Sequence, residues 1–158
     1  MEDEIKLSKS NELRLKIKTD DGKDTGEYLT FDLEDIELPL RYQEMIEKNK
    51  KNRDWLKKEL VIIEKRQDVK GKKLLSKNEE DKFKAVNKFF NQEVEIYNMF
   101  LGDNGVQKLL NGKKLGWTTL LEIDEIILNQ ILPYIENKVK DLENKVIEKY
   151  TFENKEVI

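Results

Sequence analysis

The period of the apolar residues changes once along this chain, and that change limits the folds open to it. From Leu13 to Leu33 the apolar positions alternate. Leu13, Leu15 and Ile17 share one side of an extended segment, with Arg14, Lys16 and Lys18 on the other; Leu29, Phe31 and Leu33 repeat the pattern. The turn formers of DDGKDTG lie between, so the segment predicts a β-hairpin with one apolar face. A lone hairpin is marginal in water, and that face has to lie on helices or on a partner.

From Pro39 the spacing becomes helical. Tyr42, Met45, Ile46, Trp55, Leu56, Leu60 and Ile63 recur near multiples of 3.6, Pro39 suits a first turn, and a helix to about Asp68 is expected. A lysine-rich loop containing Gly71 follows. SKNE at Ser76 to Glu79 matches a capping box, and Phe83, Val86, Phe90, Val94, Tyr97 and Leu101 form the stripe of a second long helix. Two long helices joined by a short loop predict an antiparallel hairpin.

The stretch FLGDNGVQKLLNG, Phe100 to Gly112, holds three of the seven glycines. It fits neither GxGxxG nor GxxxxGK[ST], and no strand precedes it, so it does not read as a phosphate loop. It reads as a helix stop: Gly102 falls just past the stripe, where a positive φ closes a helix, and Asp103 and Asn104 are turn formers. Val106, Leu109 and Leu110 allow one or two helical turns before Gly112. Gly102, Gly105 and Gly112 are therefore expected to be structural turn residues, in a corner whose apolar side chains could cap the bundle or face a partner.

The last third carries Leu121, Ile127, Ile131, Ile135, Val139, Leu142 and Val146 at spacings of three and four. Pro133 lies inside the pattern and predicts a kink or break. The spacing of Ile135, Val139, Leu142 and Val146 suits pairing with another helix or packing on the chain's own bundle. The tail after Tyr150 is expected to fray. The fold class is thus α+β, mainly α, with one domain over residues 1–158: a β-hairpin region (1–37), a helical hairpin (38–101), and the glycine corner with C-terminal helices (102–158).

Composition removes much chemistry. The chain has no cysteine and no histidine. Disulfides, thiol nucleophiles, imidazole bases and thiolate or imidazole zinc sites are excluded, and any metal site would be built from carboxylates and carbonyls. Glu122, Asp124 and Glu125 lie close together, as do Asp32, Glu34, Asp35 and Glu37. With 40% charged residues, such carboxylate clusters arise by chance, so no catalytic, cofactor or metal site is assigned. MEDEIKLSKS lacks the apolar core of a signal peptide, and no run approaches the ~20 apolar residues of a membrane span. A soluble, cytoplasmic protein is expected. Residues 1–37 are net −6, 38–77 net +7 and 78–158 net −4. The basic middle could attract nucleic acid, but lysines there are interleaved with acids and no aromatic–arginine stacking pattern accompanies them.

Three segments carry a resemblance: FDLEDIELPLRYQEM, KGKKLLSKNEEDKF and NMFLGDNGVQKLLNGKKLGWTTLLEIDEIILNQILPYIE. They resemble small proteins encoded in the tail-gene modules of bacteriophages and phage-tail-like particles. The last segment is similar to the pattern of phage tail assembly chaperones: an apolar-FG turn, a short amphipathic piece ending in LxG, then a helix ending near LPYIE. The chain departs from that pattern in having Leu101-Gly102-Asp103 in place of a plainer FGEG-like turn, and in its long, basic first helix pair. The resemblance implies a non-catalytic assembly factor, without cofactor, that binds the tape measure protein, recruits tail-tube subunits and then leaves. A structural tail component retained in the particle, using its hairpin for strand addition, is the alternative; a nucleic-acid-binding regulator would rest on the basic segment alone. The aliphatic run around Leu121, Ile127, Ile131 and Tyr134, with Val106 and Leu110 from the corner, is expected to supply the apolar surface for the client or for self-association into a homo-oligomer. The competing reading makes these residues bundle core.

Overall fold

The computed structural model describes residues 2–5 and 11–156, without the side chains of 151–156. The fold is α+β and mainly α, 65% helical, with the hairpin first and the helices after it.

Strands β1 (Glu12–Lys18) and β2 (Asp24–Asp32) pair antiparallel, from Glu12↔Asp32 to Lys16↔Tyr28. The register then shifts before Lys18↔Asp24, where the Thr25 hydroxyl donates to the Ile17 carbonyl at 2.7 Å. Alternation places side chains as the sequence predicts. Ile17, Leu29, Phe31 and Leu33 are buried, with Leu13 and Leu15 half-buried beside them, while Arg14 stacks on Tyr28 outside.

Helices α1 (Glu37–Glu64) and α2 (Lys77–Leu101) form the antiparallel hairpin. Their pairing is read from Lys48 beside Met99, Asn52 against Phe89 and Glu93, and Arg66 against Asp81. α1 stops at Glu64, short of the expected Asp68, because the chain there is drawn to the start of α2. The Asp68 carboxylate accepts the Asn78 N–H, and the Asn78 side chain donates to the Arg66 carbonyl. The Ser76–Glu79 capping box is formed: Ser76 Oγ accepts from the Glu79 N–H at 3.1 Å, and Glu79 reaches back to the Ser76 N–H.

At the glycine corner Gly102 has φ +96° and ψ 177°, a region essentially closed to residues with a side chain, and α2 ends there. The short α3 (Gly105–Leu110) begins at once. A Cβ on Gly105 would lie 2.6 Å from Leu101 Cβ, so this position needs glycine for space. Asn98 ties the corner together, its Oδ1 accepting from the Val106 N–H at 2.8 Å and its Nδ2 donating to Gln107.

After α4 (Trp117–Ile126) the helix does not break. It widens into a π turn (Ile127–Ile131) and continues as α5 (Leu132–Glu156), beyond the fraying expected after Tyr150. The Leu132 N–H donates to the Ile127 carbonyl, five residues back. Pro133, which has no N–H and would crowd the carbonyl four residues before it in a regular α-helix, follows directly.

The buried residues form two apolar clusters. The larger joins the hairpin face to Leu38, Met45, Tyr97, Phe100, Leu101, Val106 and the isoleucines 123, 127, 131 and 135. Phe100 packs its ring on both Phe31 and Tyr42, at 5.4 Å between centroids. The smaller holds Leu56, Ile63, Ala85 and Phe89 at the far end of the helical hairpin. A polar layer lies between them along α1 and α2, made of the buried Asn49, Asn52 and Glu93.

Candidate functional site

α5 is seated at its beginning and free further on. Ile135 is buried with Leu33 and Leu38, and Lys138 pairs with Glu34 in the β2–α1 connection, holding that carboxyl below its usual range. The same connection is fixed by Arg41, which bonds Asp35 at 2.8 Å and, with the Glu37 N–H, lowers the Asp35 pKa. Beyond Val139 the helix loses its cover. Leu142 is half-buried, and Val146, Ile147 and Tyr150 are each more than half exposed. Ile36 (66% exposed) and Pro39 line a cleft with Leu142, Val146 and Ile147, and Ile46 (45%) lies further along α1 with Val139 and Glu143.

Two open clefts share Pro39, Val139 and Glu143 and together make one groove between α1 and α5. The first, about 750 Å³, runs over Tyr42, Ile46, Leu132 and Val139; the second, about 400 Å³, is walled by Ile36, Leu142, Val146 and Ile147. Gln43, Glu136, Lys140 and Glu143 stand along it. An apolar floor with polar edges between two helices can receive a third helix through its apolar face. Among the described residues no group of three metal-ligating side chains occurs, and no helix is long and apolar enough to cross a membrane.

The residues expected to form the partner surface separate into two sets. Val106 and Ile131 are fully buried and Ile127 is 3% exposed, so these three are core, and their assignment to a partner surface is corrected. For Ile127 and Ile131 the cause is the π turn, which keeps four isoleucines spaced by four on one side of the helix; Val106 is held in the core by the glycine corner, its N–H donating to Asn98 Oδ1. Leu110 is half-buried beside the hairpin turn. Leu121 and Tyr134 are exposed, at 64% and 51%, but neither lines the groove. Of the groove itself, Val139, Leu142 and Val146 were legible as a helix-pairing stripe. Ile36 and Ile147 were missed; the doublet Val146-Ile147 was the signal, since one packed face does not need both.

On α2 the predicted stripe is displaced. Phe83 is 61% exposed and Val86, Phe90 and Val94 flank the buried line Ala85, Phe89, Glu93, Tyr97. Phe90 instead meets Trp117 edge-on at 4.6 Å. A scan against protein-family models and searches of curated proteins and of solved structures find no match to this chain.

Proposed function

We propose that this protein is a non-catalytic phage tail assembly chaperone, acting in the host cytoplasm, whose α1–α5 groove holds amphipathic helices of the tape measure protein while tail-tube subunits are recruited. The observation that carries the binding reading is the groove that the described residues leave uncovered, with Ile36, Val146 and Ile147 each more than half exposed around it. Contiguous apolar surface of this kind marks an interaction site in a soluble chain. The nature of the client comes from the resemblance of the corner and the LPYIE helix to tail assembly chaperones. A long helical client repeats its apolar face, so several copies could coat it through modest contacts.

Co-expression with a phage tape measure protein tests the proposal. The two should co-purify, and Val146→Asp with Ile147→Asp should end co-purification without lowering the melting temperature. A double variant that melts normally and still co-purifies would place the client elsewhere. The two-stranded sheet, whose outer edges carry no further strand among the described residues, supports the second reading of a component retained in the particle by strand addition. Stoichiometric presence in purified particles would favour that reading over the chaperone.

A further inference from the structure

A smaller cavity of about 230 Å³ lies between α1, α2 and α4, walled by Tyr42, Met45, Phe89, Leu120 and Ile127. Asn49, Glu93 and Asp124 also line it, with the exposed Arg53. In the cavity and the adjoining polar layer of Asn49, Asn52 and Glu93, hydrogen-bonding groups are out of balance. The Asn52 amide gives its hydrogens to the Phe89 carbonyl at 3.1 Å and to Glu93 at 2.8 Å, and the Tyr97 hydroxyl donates to Asp124. Among the described residues no group donates to Asn49 Oδ1 or Asn52 Oδ1, although these residues are 7% and 6% exposed and Glu93 is 2% exposed. Buried acceptors without donors are costly, and here two amide oxygens share a layer with the Glu93 carboxyl, with the half-buried Asp124 beside it across the cavity.

We propose that this cavity is a binding site for a primary ammonium group, whose hydrogens go to Asn49, Glu93 and Asp124 and whose alkyl body lies on the apolar wall. The ligand must bring donors, because the site supplies acceptors; it must carry positive charge, because two carboxyl groups face it; and an aliphatic chain matches Met45, Leu120 and Ile127. The groups facing Glu93 are Asn52 and Arg53 from α1, Tyr97 from its own helix and Asp124 from α4. Burial raises the Glu93 pKa to about 6, with Asp124 adding to the effect and Asn52 and Arg53 opposing it. A proton and an ammonium ion therefore compete for the same oxygens, and binding should weaken as pH falls below about 6.

Two sources offer this chemistry: a free amine, or a lysine side chain on a helix seated in the groove. Tyr42 and Ile46 line both the cavity and the groove, and the lysine source rests on the groove reading.

Titration calorimetry at pH 8 tests the site with n-butylammonium, n-butanol and Nα-acetyl-lysine methylamide. The ammonium ligand should bind one to one, at least about tenfold more tightly than the alcohol, since charge-assisted hydrogen bonds are about twice as strong as neutral ones. Glu93→Gln and Asn49→Ala, checked for native melting, should each weaken it about tenfold, and Arg53→Ala should tighten it by removing a like charge. Val146→Asp should leave the binding of free butylammonium unchanged, so failure of the groove reading and failure of this site are separate results. Tighter binding of the lysine derivative identifies a protein lysine as the source; tighter binding of butylammonium identifies a free amine; both uphold the site. Butylammonium binding no tighter than butanol, or equal binding by the folded Glu93→Gln and Asn49→Ala variants, overturns it.

Discussion

Glu93 shows what a single buried carboxyl does to this protein. Its pKa is raised by burial to about 6 in the folded chain, from an ordinary value of 4.5. The folded state therefore holds the proton more tightly than the unfolded one. The stability this contributes is fully present below about pH 4.5 and is lost as pH rises through about 6, a change of about 2 kcal/mol. Melting temperature should rise as pH is lowered from 7.5 to 5, and Glu93→Gln should flatten that profile and melt higher at pH 7.5. A profile that Glu93→Gln does not alter would show that the carboxyl is ordinary. Asp24, Asp35 and Asp68 act in the opposite sense, being lowered by Lys16, by Arg41 and by Ser76 respectively, and their contribution disappears only in stronger acid. At the corner, Gly102→Ala should cost about 1–3 kcal/mol for a forced backbone conformation, and Gly105→Ala a similar amount for the collision with Leu101, both read from denaturant midpoints. The role of Gly102 was legible, since a glycine just past an apolar stripe has a local meaning. Glu93 was not: a carboxylate between Phe90 and Val94 reads as solvent-facing, and its partner Asn52 is 41 residues away.

Among the elements, the π turn explains most of what the sequence left undecided. Residues of an α-helix advance by about 100°, so steps of four drift by about 40° each. Ile123, Ile127, Ile131 and Ile135 would spiral away from the core, yet each is at most 3% exposed. The widened turn takes up the extra residue and returns all four to one face. Pro133 benefits from the same widening. Removing the exposed Asn129 should restore regular α spacing on the core side while placing Pro133 in a helix interior, at a cost of about 3 kcal/mol. Adding Pro133→Ala to that deletion should recover most of the loss, and chemical denaturation followed by circular dichroism measures both. Recovery without the second change would mean that the proline plays no part in the turn. Where the period was simple, in the hairpin and at the Ser76 cap, prediction and structure agree, because those devices are local. Where two faces compete, as on α2, the choice depends on which helix arrives opposite, and that is not written in a single segment.

Across the whole molecule, apolar side chains divide by what covers them. Val106 is fully buried and Val146 is 56% exposed, although both belong to runs that look alike in sequence. Val106→Asp should cost about 3–5 kcal/mol, a large part of a typical total of 5–15, and unfold much of the population at 37 °C. Val146→Asp with Ile147→Asp should shift stability by less than about 0.5 kcal/mol, as surface changes do. Equal losses from the two would mean that α5 is covered along its whole length in solution. That the last two turns of the stripe stand free could not be read from spacing. It depends on where the β2–α1 corner ends, and Ile36 and Pro39 give out before α5 does.

The polar layer at Asn49, Asn52 and Glu93 also fixes how far α1 can slide along α2. A slip of one helical turn in one direction would set the Glu93 carboxyl against Leu56 and strip it of its amide partner. The apolar residues on either side would tolerate the move, since one leucine fits much like another. The layer thus acts as an alignment key: it contributes little attraction of its own and penalises a slip that carries Glu93 onto the apolar end of α1. Asn52→Leu combined with Glu93→Leu is expected to raise the melting temperature while broadening the amide resonances of both helices, as alternative alignments exchange. Sharp resonances in that variant would assign the alignment to the loop and the capping box instead.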